Sequence, residues 1–342
     1  SKLSTAELDD LLRNEGKYIE QDGVWWISSG RQTFDPSRFF VSTQMKDPFG
    51  GISTMVYDDY ALLVVESRDP LPAPLTNVVK IRNNYRTMQP EQITDPNGNR
   101  AQVAFDALGM VAGTAVMGKE TEVKGDLLDG FKADLTQVEI DAFLANPLGM
   151  AASLLGMATT RIIYDLEQFR TDGQPVVAAT IARETHVSDL AAGAQSKVQV
   201  NFSYSDGFGR EVQKKIQAEP GDAPQREANA ANPNRPGRLI LEDGQPKLAT
   251  TDPRWVGNGR TIFNNKGKPV KQYEPFFSST HLYEDEPEMV MTGVTPILLY
   301  DPAQRVVATL HPNHTYEKVM FDPWQQVTWD VNDTVLLDPQ TD

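Results

Sequence analysis

The chain has 342 residues, 39% hydrophobic and 23% charged, so it can bury a core and is not a disordered polymer. Its formal net charge of −15 argues against a nucleic-acid binder, which needs a cationic face to neutralise phosphates. It has no cysteine, which excludes disulfides, thiolate metal sites and cysteine nucleophiles together.

In chain order, Ser4 and Glu7 have the spacing of a capping box, with Leu8, Leu11 and Leu12 as an apolar stripe and Gly16 as the stop. "SKLSTAELDD" lacks the apolar core of a signal peptide, and no run approaches the roughly 18 apolar residues of a membrane span. A start without Met and an end on "DPQTD" lead us to expect a piece of a longer polypeptide. "YIEQDGVWWIS" is a hairpin signal, an Asp-Gly turn between aromatic and β-branched runs. "TMVYDDYALLVVESRD" and "NVVKIRNNYRTM" also read as strands. Residues 125–156 differ: Leu135, Val138, Ala142 and Phe143 have helical spacing, and Pro147 limits the helix. Strands resume at Thr160 and run through "KVQVNFSYSDGFGREVQKKIQA". Residues 219–260, rich in Pro, Gly, Asn and Asp, read as a long loop with a short hairpin at "RLILEDGQPKL". Strands return from Thr261. The expected organisation is an N-terminal helix with leading hairpins over 1–50, then a repeat region over 51–342.

That repeat is an aromatic, then Asp, two variable residues, and often Gly. Phe105-Asp106-Ala107-Leu108-Gly109 is the fullest copy. Tyr57-Asp58 has Ala61 in the glycine slot, and Tyr164-Asp165 has Gln168. Asp206 keeps Gly209, with Tyr204 one residue early, and Phe263-Asn264 keeps Gly267. Tyr300-Asp301 and Phe321-Asp322 carry Gln304 and Gln325. A second turn signal precedes three copies at one offset of eleven residues: Asp47 before Asp58 (58 − 47), Asp95 before Asp106 (106 − 95), His311 before Asp322 (322 − 311). Pro presets φ and Gly or Asn accepts a positive φ, so these are turns at the two ends of strands. The repeat Asp accepts backbone N–H bonds to start its turn, and Gly109, Gly209 and Gly267 close theirs. Asn264 in one slot means that hydrogen-bond acceptance, not charge, is what the position needs. The aromatics are expected to pack on one another across strands.

The blocks "ITDPNGNRAQVAFDALGMVAGTAVMGK", "ARETHVSDL", "FSYSDGFGREVQKKIQAEPG", "TIFNNKGKPVKQYEPFF" and "LHPNHTYEKVMFDPWQQVTWDVNDT" resemble the YD-repeat (Rhs) family. More closely they resemble the middle to C-terminal region of the B component of insecticidal Tc toxin complexes. The resemblance spans roughly 57–342. It implies an all-β fold, a curved strip of antiparallel β-hairpins with a small helical insertion, forming part of a hollow shell. It implies a structural, non-enzymatic and secreted role in housing and delivering a cytotoxic polypeptide. The implied partners are an effector-bearing C component and a pore-forming A component, with self-association or companion fragments expected at the open edges. Blade repeats of the family's propeller, the self-cleaving protease motif and the variable effector find no counterpart in these residues.

The remaining candidates have ordinary structural readings beside the functional ones. His311 and His314 suit a metal only on a helix, and Pro312-Asn313 between them favours a turn. Asp9-Asp10, Asp58-Asp59 and the acidic "YEDEPE" from Tyr283 to Glu288 offer carboxylates, but strand neighbours point to opposite faces and the last reads as a solvated loop. Lys119 in "GTAVMGKET" lacks phosphate-loop spacing, and "DGFGR" aligns with a repeat turn. Asn313-His314-Thr315 fits the glycosylation triplet, which carries little meaning in a bacterial-type protein. Trp25, Trp26, Trp255, Trp324 and Trp329 could stack on sugars, so an extracellular carbohydrate-binding or adhesion module is the alternative function. No catalytic, metal or cofactor residue, no nucleic-acid partner and no membrane insertion are expected.

Overall fold

A computed structural model describes residues 4–338 and 341. Residues 1–3, 339, 340 and 342, at the outer ends of the two expected segments, lie outside the described residues. The chain forms two compact units: residues 1–134 with 157–159 and 185–194, and residues 135–156 with 160–184 and 195–342.

The first unit begins with helix Thr5–Asp10, where Ser4 and Glu7 form the reciprocal capping box. Leu11–Glu15 continues as a π-turn and Gly16 ends it. Strands Ile19–Gln21 and Val24–Trp26 form a hairpin in which Asp22 and Gly23 both take positive φ. Then eight antiparallel strands pair in chain order: Arg31–Asp35, Val41–Lys46, Ile52–Tyr57, Val64–Arg68, Val78–Asn84, Gln89–Thr94, Arg100–Phe105 and Val111–Met117. Pairing runs through residue 50, which sits in the turn between two of these strands. From residue 31 to 105 only Asp58 and Ala61 are buried, so neither face of this stretch carries a covering layer.

The second unit does have a core. Strands Thr160–Asp165, Val176–Arg183, Val198–Ser205, Glu211–Ala218, Arg254–Gly257 and Phe276–Ser278 pair in that order, all antiparallel. Their inward residues alternate as strands require, with Ile163, Ile181, Val200, Phe202, Tyr204 and Trp255 buried. Helices Gln137–Ala145 and Pro147–Leu155 cover them. The stripe that packs is Ile140, Phe143 and Leu144, then Ala151 and Leu155, while Val138 of the expected stripe is exposed. Pro147 opens a second helix as well as ending the first, since a proline at the first helical position loses no hydrogen bond. Phe143, Phe202, Trp255 and His281 form one ring cluster, with centroids 4.7–6.2 Å apart in the pairs that touch.

The expected loop over 219–260 keeps its expected short hairpin and holds further strand outside it. Gly221–Pro224 pairs with Leu248–Thr251, Leu241–Glu242 pairs with Gln245–Pro246, and Arg254–Gly257 enters the sheet. Burial of Trp255 supplies the reason: its apolar area outweighs the loop-like composition around it. Strands Thr261–Phe263, Pro269–Gln272, Ile297–Tyr300, Val306–Leu310, Tyr316–Phe321 and Gln326–Trp329 form a further six-stranded antiparallel sheet.

Candidate functional surface: the repeat turns and the two faces of the sheet

The turn at Asp106 shows the local construction. Gly109 N–H donates to the Asp106 carbonyl (3.0 Å), Met110 N–H donates to Asp106 Oδ1 (2.8 Å), and Gly109 takes φ +83°. Asp206, Asn264 and Asp301 make the same pair of contacts to residues three and four ahead, with Gly209, Gly267 and Gln304 at φ +73°, +75° and +68°. Asp58 does so with one extra residue in the loop: Leu62 N–H reaches Oδ1 (2.9 Å) and Ala61 takes φ +56°. Asp322 closes one residue sooner, on Trp324 and Gln325, and Gln325 is not left-handed. At the opposite strand ends Asp47, Asp95 and His311 start turns whose left-handed residues are Gly50, Gly98 and His314.

Asp165 departs from the expectation. It lies within a strand, accepts from Glu167 N–H at 3.1 Å, and is followed by helix Gln168–Asp172 rather than a hairpin turn. Gln168 occupies the first helical position and is buried, and the left-handed residue is Gly173 at the helix end. Two further copies escaped the sequence pattern: Phe34-Asp35, whose carboxylate accepts from Ser37 N–H (2.9 Å), and Asn84, which accepts from Arg86 N–H (3.0 Å). Counting backwards by about one hairpin from Asp58 and Asp106 would have found both.

The tips are also tied sideways. Arg38 donates to the Asp58 carbonyl, Tyr85 Oη donates to Asp58 Oδ2 (2.9 Å), and Arg86 donates to the carbonyls of Asp106 (2.6 Å) and Ala107 (3.0 Å). Two repeat aromatics are covered by arginine rather than by the expected aromatic neighbour. Arg210 binds Asp206 Oδ2 and lies 4.8 Å over Phe263, and Arg305 binds Asp301 Oδ2 and lies 4.2 Å over Phe321.

Because the position needs an acceptor, Asp106→Asn should leave the urea midpoint within error, and Asp106→Ala should cost about 1 kcal/mol. A loss in Asp106→Asn as large as in Asp106→Ala would show that charge matters there. The carboxylates also set an acid limit. Asp322 is held below its usual 3.8 by the N–H groups of Trp324 and Gln325, and Asp301 by the N–H and guanidinium of Arg305. Their folded pKa lies below the unfolded one, so their contribution is present above about pH 4 and is lost as pH falls through the folded value. Burial raises Asp165, which acts in the opposite sense. Urea unfolding from pH 5 to 2.5 should show falling stability, with a shallower slope in Asp301→Asn/Asp322→Asn.

Strand register sorts the first unit's uncovered faces. Met45 stands opposite Ser53, Met55 opposite Ser67, and Ile81, Ile93, Ala101 and Val116 form one row. None of these side chains is charged. The alternate positions include Arg68, Glu66, Lys80, Arg82 and Arg100. Direct pairing keeps each row on one face.

In the second unit "YEDEPE" is not a solvated loop. Glu284 is fully buried, in an ion pair with Lys215 Nζ and 2.8 Å from Arg226 Nε, and Arg226 also binds Glu286 at 2.7 Å. Burial pulls Lys215 below the usual lysine range, partly offset by Glu284. Burial weighs on Arg226 too, but hydrogen bonds to Glu286 and the charge of Glu284 outweigh it and raise Arg226. The missed signal was Lys215 itself, a cation on the inward phase of its strand, directly opposite Phe202. His281 is pushed down to about 4 by burial and so stays neutral among the rings.

In the first unit, buried Asp126 joins Thr159 Oγ1 (2.6 Å), His186 Nδ1 (2.7 Å) and Val187 N–H (2.8 Å). His311 and His314 sit in their turn, and no cluster of three or more metal-binding side chains is found among the described residues. Trp255 is in the core and unavailable to a sugar, while Trp324 is exposed at a tip. No helix among the described residues is long and apolar enough to cross a membrane.

Fold and turns together define a class: a strip of antiparallel hairpins closed by a repeated Asx turn. No protein-family model and no curated protein matches the chain. Solved structures do. It is 22% identical to a chain of TcdB2-TccC3, with a TM-score of 0.69, over 98% of this chain and 16% of that one. For TcdB2-TccC3-Cdc42 the values are 19%, 0.67, 100% and 18%. For a Photorhabdus luminescens Tc holotoxin pore with a TccC3 mutation they are 20%, 0.67, 98% and 17%. The chain thus has the fold of a stretch of these Tc toxin proteins, and spans under a fifth of their length.

Proposed function

We propose that this chain is a section of wall in a toxin-encapsulating β-shell of the Tc B-component type. The carrying observation is a run of strands from residue 31 to 105 with no covering layer on either face, in a chain with the Tc fold over almost its whole length. A sheet in an independent domain packs a hydrophobic face on another layer, and a wall has no such layer. The uncharged face suits an interior lining, where an enclosed polypeptide would meet no fixed charge. The role is structural and not catalytic: the repeat aspartates are engaged by their own turns. By resemblance, the partners are an effector-bearing C component and a pore-forming A component, and the complex acts outside the producing cell. Co-expression with the products of adjacent reading frames, followed by electron microscopy, should give a hollow particle containing this chain. Solid globular particles, or no association, would remove the reading. The adhesion alternative loses Trp255 as a contact and rests on the exposed Trp26 and Trp324.

A further inference from the structure

Four tips lie side by side along one edge of the first unit's strands: residues 35–41, 57–64, 84–89 and 105–111. They carry Phe39, Phe40, Tyr60, Leu62, Met88 and Leu108, all exposed, with Phe39 at 85%, Leu108 at 70% and Tyr60 at 67%. Loop tips ordinarily take small polar residues, so this series needs an explanation. Phe39, Phe40 and Met88 also hold φ of +57°, +55° and +57°. A left-handed backbone is costly for a bulky side chain, and nothing in burial offsets it there.

The edge is stiff, and its charged residues are Asp35, Arg38, Asp58, Asp59, Arg86 and Asp106. Arg38, Tyr85 and Arg86 tie each tip to the next, and Tyr60 meets Tyr85 edge-to-face at 5.9 Å. These ties engage both arginines and Asp58 within the edge. Phe, Tyr, Met and Arg are the residue types enriched at protein interfaces, and stiffness lowers the ordering cost of binding. The six side chains expose on the order of 700 Å², beyond the largest patch of a typical monomer and near what each partner contributes to a standard interface.

We propose that this edge is a self-association surface, on which two copies of the chain meet tip row against tip row about a two-fold axis. Four tips about 10 Å apart, two strand spacings each, form a row that a reversed copy can match. The first tip then meets the partner's fourth, and the second meets the partner's third. The inference does not depend on the wall reading. A chain of net charge −15 repels its copy, so an apolar contact should tighten as salt rises.

The test is sedimentation velocity of the full chain at low and high salt. A dimer strengthened by salt is expected, with at least a tenfold weaker Kd in Phe39→Asn/Phe40→Gly/Leu108→Ser. The first two changes suit a left-handed backbone, so this variant should melt no lower than wild type, which separates lost contact from lost fold. The chain has no cysteine, so Phe40→Cys and Leu108→Cys can be mixed and oxidised. Cross-links between the two variants should exceed those within either one. A monomer at all salt concentrations, a dimer untouched by the triple variant, or equal cross-linking in all combinations would overturn the proposal. A monomer that still enters a hollow particle would leave the wall reading standing.

Discussion

Glu284→Leu should destabilise the second unit by about 3–5 kcal/mol, because it removes the carboxylate that pairs with fully buried Lys215. Lys215 Nζ is fully enclosed, and its contacts are Glu284, the Thr280 carbonyl at 3.4 Å and the face of Phe276 at 4.8 Å. Arg226 would keep Glu286 and the Gly237 carbonyl, so the unpaired charge falls mainly on Lys215. Lys215→Met/Glu284→Leu should therefore be less harmful than Glu284→Leu alone, with a coupling of at least about 1 kcal/mol in the double-mutant cycle. Urea unfolding followed by tryptophan fluorescence reads this directly, because Trp255 lies in the same core. Glu284→Leu within about 0.5 kcal/mol of wild type would mean that this cluster does not hold the segment after Ser278 to the sheet.

Asp126→Ala should cost about 2–4 kcal/mol by leaving buried donors without acceptors. Its carboxylate gathers three chain segments. It accepts from the Thr159 hydroxyl, which in turn accepts from Val116 N–H at 2.9 Å, and from Val187 N–H, and it pairs with His186. Its own N–H donates to the Val116 carbonyl at 2.8 Å. His186 is half-exposed and can turn to water, so His186→Ala should cost under half as much as Asp126→Ala. Hydrogen exchange at the amides of Val116 and Val187 should rise in Asp126→Ala and stay near wild type in His186→Ala. Equal losses from the two variants would show that the His186 contact, and not the wider set of donors to Asp126, holds the site.

Most of the turns are legible in the chain alone, because an Asx turn is closed by residues three and four positions ahead. Asp106 with Gly109, and Asn264 with Gly267, need no distant partner to take their shape. The same locality made the antiparallel strip legible, since each turn joins neighbours in the chain. Asp165 shows the limit: its sequence matches the repeat, yet the segment after it goes helical and buries Gln168. What each face and each charge meets depends on residues distant in the chain. Lys215 and Glu284 are 69 residues apart, and Asp126 and His186 are 60, so no local pattern pairs them. Burial works the same way. Trp255 is hidden because Phe202 and His281 arrive from elsewhere in the chain, whereas Phe39 and Leu108 remain exposed because nothing in the unit reaches the edge they occupy. Hydrogen-bonded turns are set by neighbours in sequence, while desolvation is set by neighbours in space.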